Sequence, residues 1–141
     1  MRFTKRMILM LLVTPPLLVA ASAGTANATA SAALTSIGSG ASGPHHVTAV
    51  CTAHFGFTTN LGQITYVVSG TASAYSTNGS VPVGTSVTCS IPGYGSVSGG
   101  APGPEGVAAG LITVPLNSNP RLCASANAVF NDNGTASFSN C

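Results

Sequence analysis

The residues beyond position 28 that could carry acid–base chemistry are two acids, Glu105 and Asp132, and the histidines. A hydrolase of the paired-carboxylate type needs both acids to converge on one cleft. Glu105 lies in a Gly/Pro-rich stretch, and Asp132 lies in an Asn-Asp-Asn turn where turn formation is a sufficient role for it. General acid–base catalysis has little material here, so we predict no catalytic residue. An enzyme that uses Glu105 with a histidine remains an alternative.

The candidate metal ligands are His45, His46 and His54. His46 and His54 share the outer face of a predicted strand, but roughly 26 Å of extended chain separates them, so one ion could not bind both. We predict that His45-His46 forms a solvent-exposed strand entrance. The segment Gly93-Tyr94-Gly95 lacks the strand-to-helix context that phosphate binding requires. We therefore predict no metal and no cofactor.

The last two cysteines predict a hairpin closed by a disulfide. On both sides of the turn Asn131-Asp132-Asn133, alternate residues are apolar. If Phe130 pairs with Gly134, apolar residues oppose apolar residues on one face, and Cys123 opposes Cys141 on the other. A shift of one residue would destroy both matches. We predict a Cys123–Cys141 disulfide.

By elimination, Cys51 pairs with Cys89, and predicted turns near residues 60 and 78 bring the first strands to a common level. In a flat sheet, residues on either side of a middle strand lie about 9.6 Å apart, beyond the roughly 7 Å that a disulfide spans. The sheet must fold over. We predict an all-β fold, an antiparallel two-sheet, immunoglobulin-like sandwich or a partly closed barrel, cross-linked by two disulfides.

Period-two spacing of apolar residues predicts half-buried strands separated by turns. Asn78-Gly79 signals a hairpin turn, and Gly70 signals a bulge or kink. Pro92–Pro104 is predicted to be a Gly/Pro/Ser-rich excursion with one short strand, and Val107–Leu116 to be a strand buried on both faces. The half-buried strands are predicted over Val47–Phe57, Gln63–Tyr75 and Val81–Ile91.

The start of the chain has the pattern of a secretory signal peptide. Basic residues precede an apolar stretch, Met7–Ala20, and small residues follow at Ala26-Asn27-Ala28, with cleavage after Ala23 as an alternative. The apolar stretch is shorter than the roughly 20 residues that span a bilayer, and Pro15-Pro16 interrupts it. We expect a secreted protein with no membrane segment after cleavage. The predicted organisation is a signal peptide over 1–28, a flexible leader over 29–44 and a β-sandwich domain over 45–141.

Charge is scarce beyond the predicted signal peptide. One arginine, Arg121, is opposed by Glu105 and Asp132, which leaves a net charge of −1 with neutral histidines. No cluster of basic residues remains to neutralise phosphates, so we expect no nucleic-acid binding. The expected partner is an extracellular protein or a cell-wall component.

Three pieces of the sequence carry a resemblance: the segment Val87–Gly93, the segment Cys123–Phe130 and the terminal Cys141. In these pieces the chain resembles a loose group of small, uncharacterised exported proteins from actinobacteria. The resemblance lies in the pattern of strands and cysteines. It implies a β-sandwich and no activity.

These features predict a non-enzymatic binding module. The expected contact surfaces are the Thr/Ser-rich outer sheet faces and the segment from Tyr94 to Gly106, with Tyr94, Pro102, Pro104 and Glu105 as the candidate contact residues. The alternative is an extracellular protease or enzyme inhibitor, in which a rigid loop over Pro102–Glu105 would dock into a protease cleft.

Overall fold

A computed structural model describes residues 33–141, which form two antiparallel four-stranded sheets packed as a sandwich. The first sheet has the order β1-β2-β3-β6 and the second the order β5-β4-β7-β8. The predicted all-β, two-sheet antiparallel sandwich is confirmed. The predicted signal peptide and residues 29–32 lie outside the described residues. The strands are β1 (Leu34–Ser42), β2 (His45–Thr58), β3 (Gln63–Ser76), β4 (Pro82–Ile91), β5 (Gly95–Ala101), β6 (Glu105–Pro115), β7 (Cys123–Phe130) and β8 (Thr135–Asn140).

The core lies between the sheets and consists mainly of valine, alanine and isoleucine. Its largest fully buried side chains are Tyr66 from the first sheet and Phe130 from the second. Along β2 the residues Val47, Ala49, Cys51 and Ala53 are buried, as the period-two pattern predicts. Within residues 33–141 no helix is long and apolar enough to cross a membrane.

The Cys51–Cys89 disulfide joins β2 to β4 and so links the two sheets, with the Cα atoms 5.7 Å apart. Gly70 on β3 is the register partner of Cys51. A Cβ atom at Gly70 would overlap Cys89 Sγ, so glycine is needed because the disulfide occupies that space. The bulge predicted at Gly70 is wrong: the irregularity between β2 and β3 lies between Phe55 and Phe57.

The C-terminal hairpin has the predicted register. Ala126 is paired with Phe138 and Ala128 with Ala136, and the Phe130 N–H donates to Gly134 O at 2.8 Å. The Cys123–Cys141 disulfide closes the open end, with a Cα–Cα distance of 4.5 Å. Both predicted disulfides are therefore confirmed.

The predicted flexible leader contains a strand. β1, Leu34–Ser42, pairs with β2 along its full length, so the sandwich begins before residue 45. β1 lacks apolar alternation because small residues are needed where it approaches β8. A Cβ atom at Gly38 would overlap the Phe138 ring, and one at Gly40 would overlap the Ser137 carbonyl oxygen.

Two predicted connections differ in the structure. The turn at Asn78-Gly79 does not close a hairpin, because β3 and β4 belong to different sheets. Gly79 has a φ of 88° and the Asn78 side chain accepts the Ser80 N–H at 2.9 Å, so the local turn signal is sound. The Pro92–Pro104 excursion contains the predicted short strand, which is β5 and pairs with β4, but this strand takes up seven of its thirteen residues.

β6 is buried on one face only. Ala108, Ile112 and Val114 face the core, whereas Val107 is 61% exposed and Leu111 is 60% exposed. The prediction of two buried faces is wrong because β6 is the edge strand of a two-layer sandwich, and no third layer covers its outer side.

Candidate functional site

The four predicted contact residues do not form one loop. Tyr94 lies in the turn before β5, and Pro102, Pro104 and Glu105 lie after its other end. The seven residues of β5 separate the two groups by about 23 Å. The predicted contact segment is therefore divided between opposite ends of the sandwich.

The segment Pro102–Pro104 is held against the fold by its backbone. The Gly103 N–H donates to Val83 O at 3.1 Å, and Gly103 O accepts the Thr85 hydroxyl at 2.8 Å. Pro104 O accepts the Ala74 N–H at 2.8 Å. An inhibitory loop needs free backbone groups to pair with a protease, and this segment uses its own groups internally.

Tyr94 borders an open depression of about 470 Å³ at the other end of the sandwich. Pro92, Asn119, Pro120 and Arg121 complete its lining. Tyr94 is 45% exposed. The depression brings the ring of Tyr94 and the guanidinium group of Arg121 to one open surface. It does not enclose a ligand-sized cavity.

A hydrogen-bonded contact between His45 and Asp132 joins the two sheets. His45 Nε2 lies 2.9 and 3.0 Å from the two carboxylate oxygens of Asp132, and Nδ1 lies 3.2 Å from Ser42 O. The ring is buried, and its centroid is 4.5 Å from that of Phe130. Because both nitrogens face acceptors, the two bonds form together only when each nitrogen carries a hydrogen.

This pair is a structural cross-link. A histidine–aspartate pair acts as a general base only where one ring nitrogen is free to face a substrate, and both nitrogens of His45 are directed at groups of the fold. The Gly134 backbone N–H and then the His45 side chain hold the pKa of Asp132 below its usual value. Within residues 33–141, no group of three His, Cys, Asp or Glu side chains could hold a metal ion.

The predicted solvent-exposed strand entrance is wrong for His45. His45 has the same parity as Val47, Ala49 and Cys51, so its ring points into the sandwich. A buried imidazole needs a polar partner, and Asp132 is one of only two acids in the sequence. The parity of His45 along its strand was therefore the sequence signal from which its contact with Asp132 could have been predicted.

Several exposed aliphatic side chains share the outer face of the first sheet. Its exposed aliphatic side chains belong to all four strands, and we call them the aliphatic face: Ile37, Val50, Val67, Val107 and Leu111. Their exposed fractions run from 37% to 62%.

The aliphatic face extends across the strands. Ile37 pairs with Val50, and the methyl-bearing Thr71 separates Val50 from Val107 in the same row. Ala109 lies between Val107 and Leu111 along β6, and Leu111 pairs with Val67. The other residues in the row of Ala109 are Ser69, Thr52 and Thr35. The aliphatic side chains therefore form two groups that join along β6 and are separated by hydroxyl-bearing side chains on the other strands.

A polar border adjoins one end of the aliphatic face. The next row toward that end contains Ser39, Thr48, Ser73 and Glu105. Two shallow depressions, of about 320 and 300 Å³, meet at Thr48. Glu105 is thus the one predicted contact residue that lies beside this face.

An aromatic pair lies one row beyond the polar border. The rings of His46 and Tyr75 stack 4.7 Å apart with an interplanar angle of 4°. Tyr75 is 53% exposed. The pair gives this end of the face a rigid aromatic edge.

The second sheet presents a different outer face. Its outward residues are mainly serine, threonine and asparagine, and its exposed aliphatic side chains are Val129 at 38% and Val83 at the start of β4 at 49%. Hydroxyls bond across the strands, as between Thr88 and Ser98 at 2.9 Å. Both outer faces therefore carry hydroxyl groups, and the first carries more exposed aliphatic side chains than the second.

Comparison with known proteins identified no relative of this chain. No protein-family model, curated protein or solved structure matches this chain.

Proposed function

We propose that this protein is an exported, non-enzymatic binding module that docks a protein partner through the aliphatic face. The contrast between the two outer sheet faces carries the proposal. The outer face of the first sheet has five exposed aliphatic side chains spread over all four strands, whereas the second sheet has Val83 and Val129. Such patches with a polar border mark protein interaction sites.

Export is supported by the two disulfides, which form and persist in oxidising compartments. The signal-peptide pattern over residues 1–28 agrees with this. The resemblance to small exported actinobacterial proteins points in the same direction. We place the working protein outside the cell.

The inhibitor alternative has less support than the binding module. The backbone of Pro102–Pro104 is bonded to β3 and β4, which leaves little of it to pair with a protease. The enzyme alternative needs Glu105 beside a histidine, and the carboxylate that lies on the buried imidazole of His45 is Asp132. An E105Q variant that lost a measurable activity would revive the enzyme alternative.

The test is partner capture with matched variants. Wild-type protein, V107D and V129D are immobilised and exposed to concentrated culture medium of the producing cells, and bound proteins are identified by mass spectrometry. V107D places a charge on the aliphatic face, and V129D places the same charge on the outer face of the second sheet. We expect the wild type and V129D to retain a partner that V107D loses.

Two results would overturn the proposal. One is a partner retained equally by all three proteins, which would locate binding elsewhere on the surface. The other is a partner lost only by V129D, which would assign binding to the second sheet. Each variant is first shown to contain both disulfides by mass.

A further inference from the structure

We infer that the occupant of the aliphatic face is a second copy of this chain, packed sheet on sheet about a two-fold axis parallel to the strands. This inference rests on the proposed function, because it uses the same docking surface. It names the partner that the surface fits best.

The strand register makes the row of Ile37, Val50, Thr71 and Val107 self-complementary. A two-fold axis along the strands sets β1 over β6 of the second copy and β2 over β3. Each row of residues that lie side by side across the four strands then faces the same row of the second copy. Ile37 then meets Val107 of the second copy, because both lie in one row. Sheets pack in this way with their strands inclined by about 30°.

The polar border is matched by the same operation. Glu105 lies in the row of Ser39, Thr48 and Ser73. The axis therefore sets the Glu105 carboxylate over the Ser39 hydroxyl of the second copy, at the rim where water also reaches it. No apolar side chain of the central row is set against a charge.

Charge favours a second copy over a heterologous partner. Among the described residues, Glu105 is the only acidic or basic side chain on this face, apart from histidines. Charge patterns provide much of the discrimination between different partners, and this surface offers almost none. Its short branched side chains suit a flat apolar surface of the same kind.

The whole outer face of the first sheet, polar rows included, has the size that a stable dimer needs. Four strands spaced about 4.8 Å apart cover about 19 Å, and the 11 residues of β6 extend about 36 Å. The planar footprint is about 700 Å² per copy, close to the roughly 800 Å² per partner of a standard specific interface.

The test is sedimentation of the exported protein recovered from culture medium, over a wide concentration range, for wild type, V107D and V129D. We expect a reversible monomer–dimer equilibrium for the wild type. V107D should weaken dimerisation by at least about tenfold, because a carboxylate would be buried against Ile37 of the second copy. V129D should dimerise like the wild type.

I37D serves as a second variant, since Ile37 is the other member of the same contact and is 62% exposed. Loss of dimer in both V107D and I37D, with disulfides intact, supports the inference. A wild-type protein that stays monomeric throughout overturns it, as does a dimer that only V129D weakens. If the wild type is monomeric yet still captures another protein through Val107, the inference fails and the proposed function stands.

Discussion

At the scale of single residues, the cross-links between the sheets limit the size of the residues that pack against them. Gly70 is opposite Cys51, and the Cys51–Cys89 disulfide passes over it. His45 is held between Ser42 and Asp132, and a Cβ atom at Gly134 would overlap its ring. Gly70 and Gly134 are therefore dictated by the cross-links that pack against them.

Replacing Gly70 by alanine should destabilise the fold by about 1–3 kcal/mol, because the added methyl group overlaps the disulfide and forces it to shift. Urea unfolding of G70A measures the effect. The matched control is G84A, since a Cβ atom at Gly84 meets nothing within 4 Å. Equal midpoints for the two variants, with both disulfides formed, would contradict the packing of the disulfide over Gly70.

Asp132 should make stability depend on pH in the acid range. Its pKa is lowered in the folded protein, chiefly by the Gly134 N–H and then by His45. The carboxylate therefore stabilises the fold fully above the usual aspartate pKa of about 3.9, and this stabilisation is lost as the pH falls through the lower folded value.

The expected result is that D132N is less stable than the wild type near neutral pH and that the difference shrinks as the pH falls below about 4. Urea midpoints measured along the pH series report it, with E105Q as the control for loss of a surface carboxylate. A difference that stays constant down to acid pH would show that Asp132 acts through its shape alone.

At the scale of elements, β1 shows how a strand can lack the usual apolar alternation. Its glycines lie where β1 approaches β8, and Gly99 has the same role where β5 approaches β6, because its Cβ atom would overlap the Val107 carbonyl oxygen. Close approach at both sides of the sandwich requires small residues. A strand built for that purpose has a composition similar to that of a flexible linker.

Hydrogen exchange distinguishes strand from leader. We expect amides of Leu34–Ser42 that bond to β2 to exchange about a hundredfold or more slowly than unprotected amides, as bonded strand amides do. Mass spectrometry of peptic peptides measures this, and the same peptides from the urea-unfolded protein serve as the unprotected reference. Exchange of β1 at the rate of the unfolded protein would show that the leader prediction was right.

At the scale of the whole molecule, the two outer faces define its behaviour in solution. Both faces carry hydroxyl groups, and the outer face of the first sheet also carries the aliphatic face, with a single carboxylate at its border. With a net charge of −1 beyond residue 28, there is little repulsion to keep copies apart. Association through the aliphatic face therefore depends on apolar burial rather than on ion pairs.

The dimer proposed above should be insensitive to simple salt. Raising sodium chloride from about 50 mM to about 500 mM should change the dissociation constant by less than about threefold, because screening acts on charges and this interface has few. Sulfate should strengthen the dimer, since it favours burial of apolar surface. A dissociation constant that rises steeply with sodium chloride, measured by sedimentation, would indicate an interface formed by charges.

The sequence alone determined the local features of this protein. Alternation predicted strands over β2, β3 and much of β4, and the register of the last hairpin predicted the Cys123–Cys141 disulfide. A disulfide is too short to join two strands across a middle strand of a flat sheet, and this predicted that Cys51 and Cys89 lie between two layers. These inferences succeeded because side-chain parity and turn chemistry are properties of neighbouring residues.

Only the tertiary structure decided the rest. It determined that β3 and β4 separate at Asn78-Gly79, that β1 is a strand, and that Val107 and Leu111 face solvent. Each outcome depends on which sheet a strand joins and on what covers its far side. A half-buried strand has the same alternation in either sheet, so parity cannot choose its neighbours. The aliphatic face could not be located from the sequence for that physical reason.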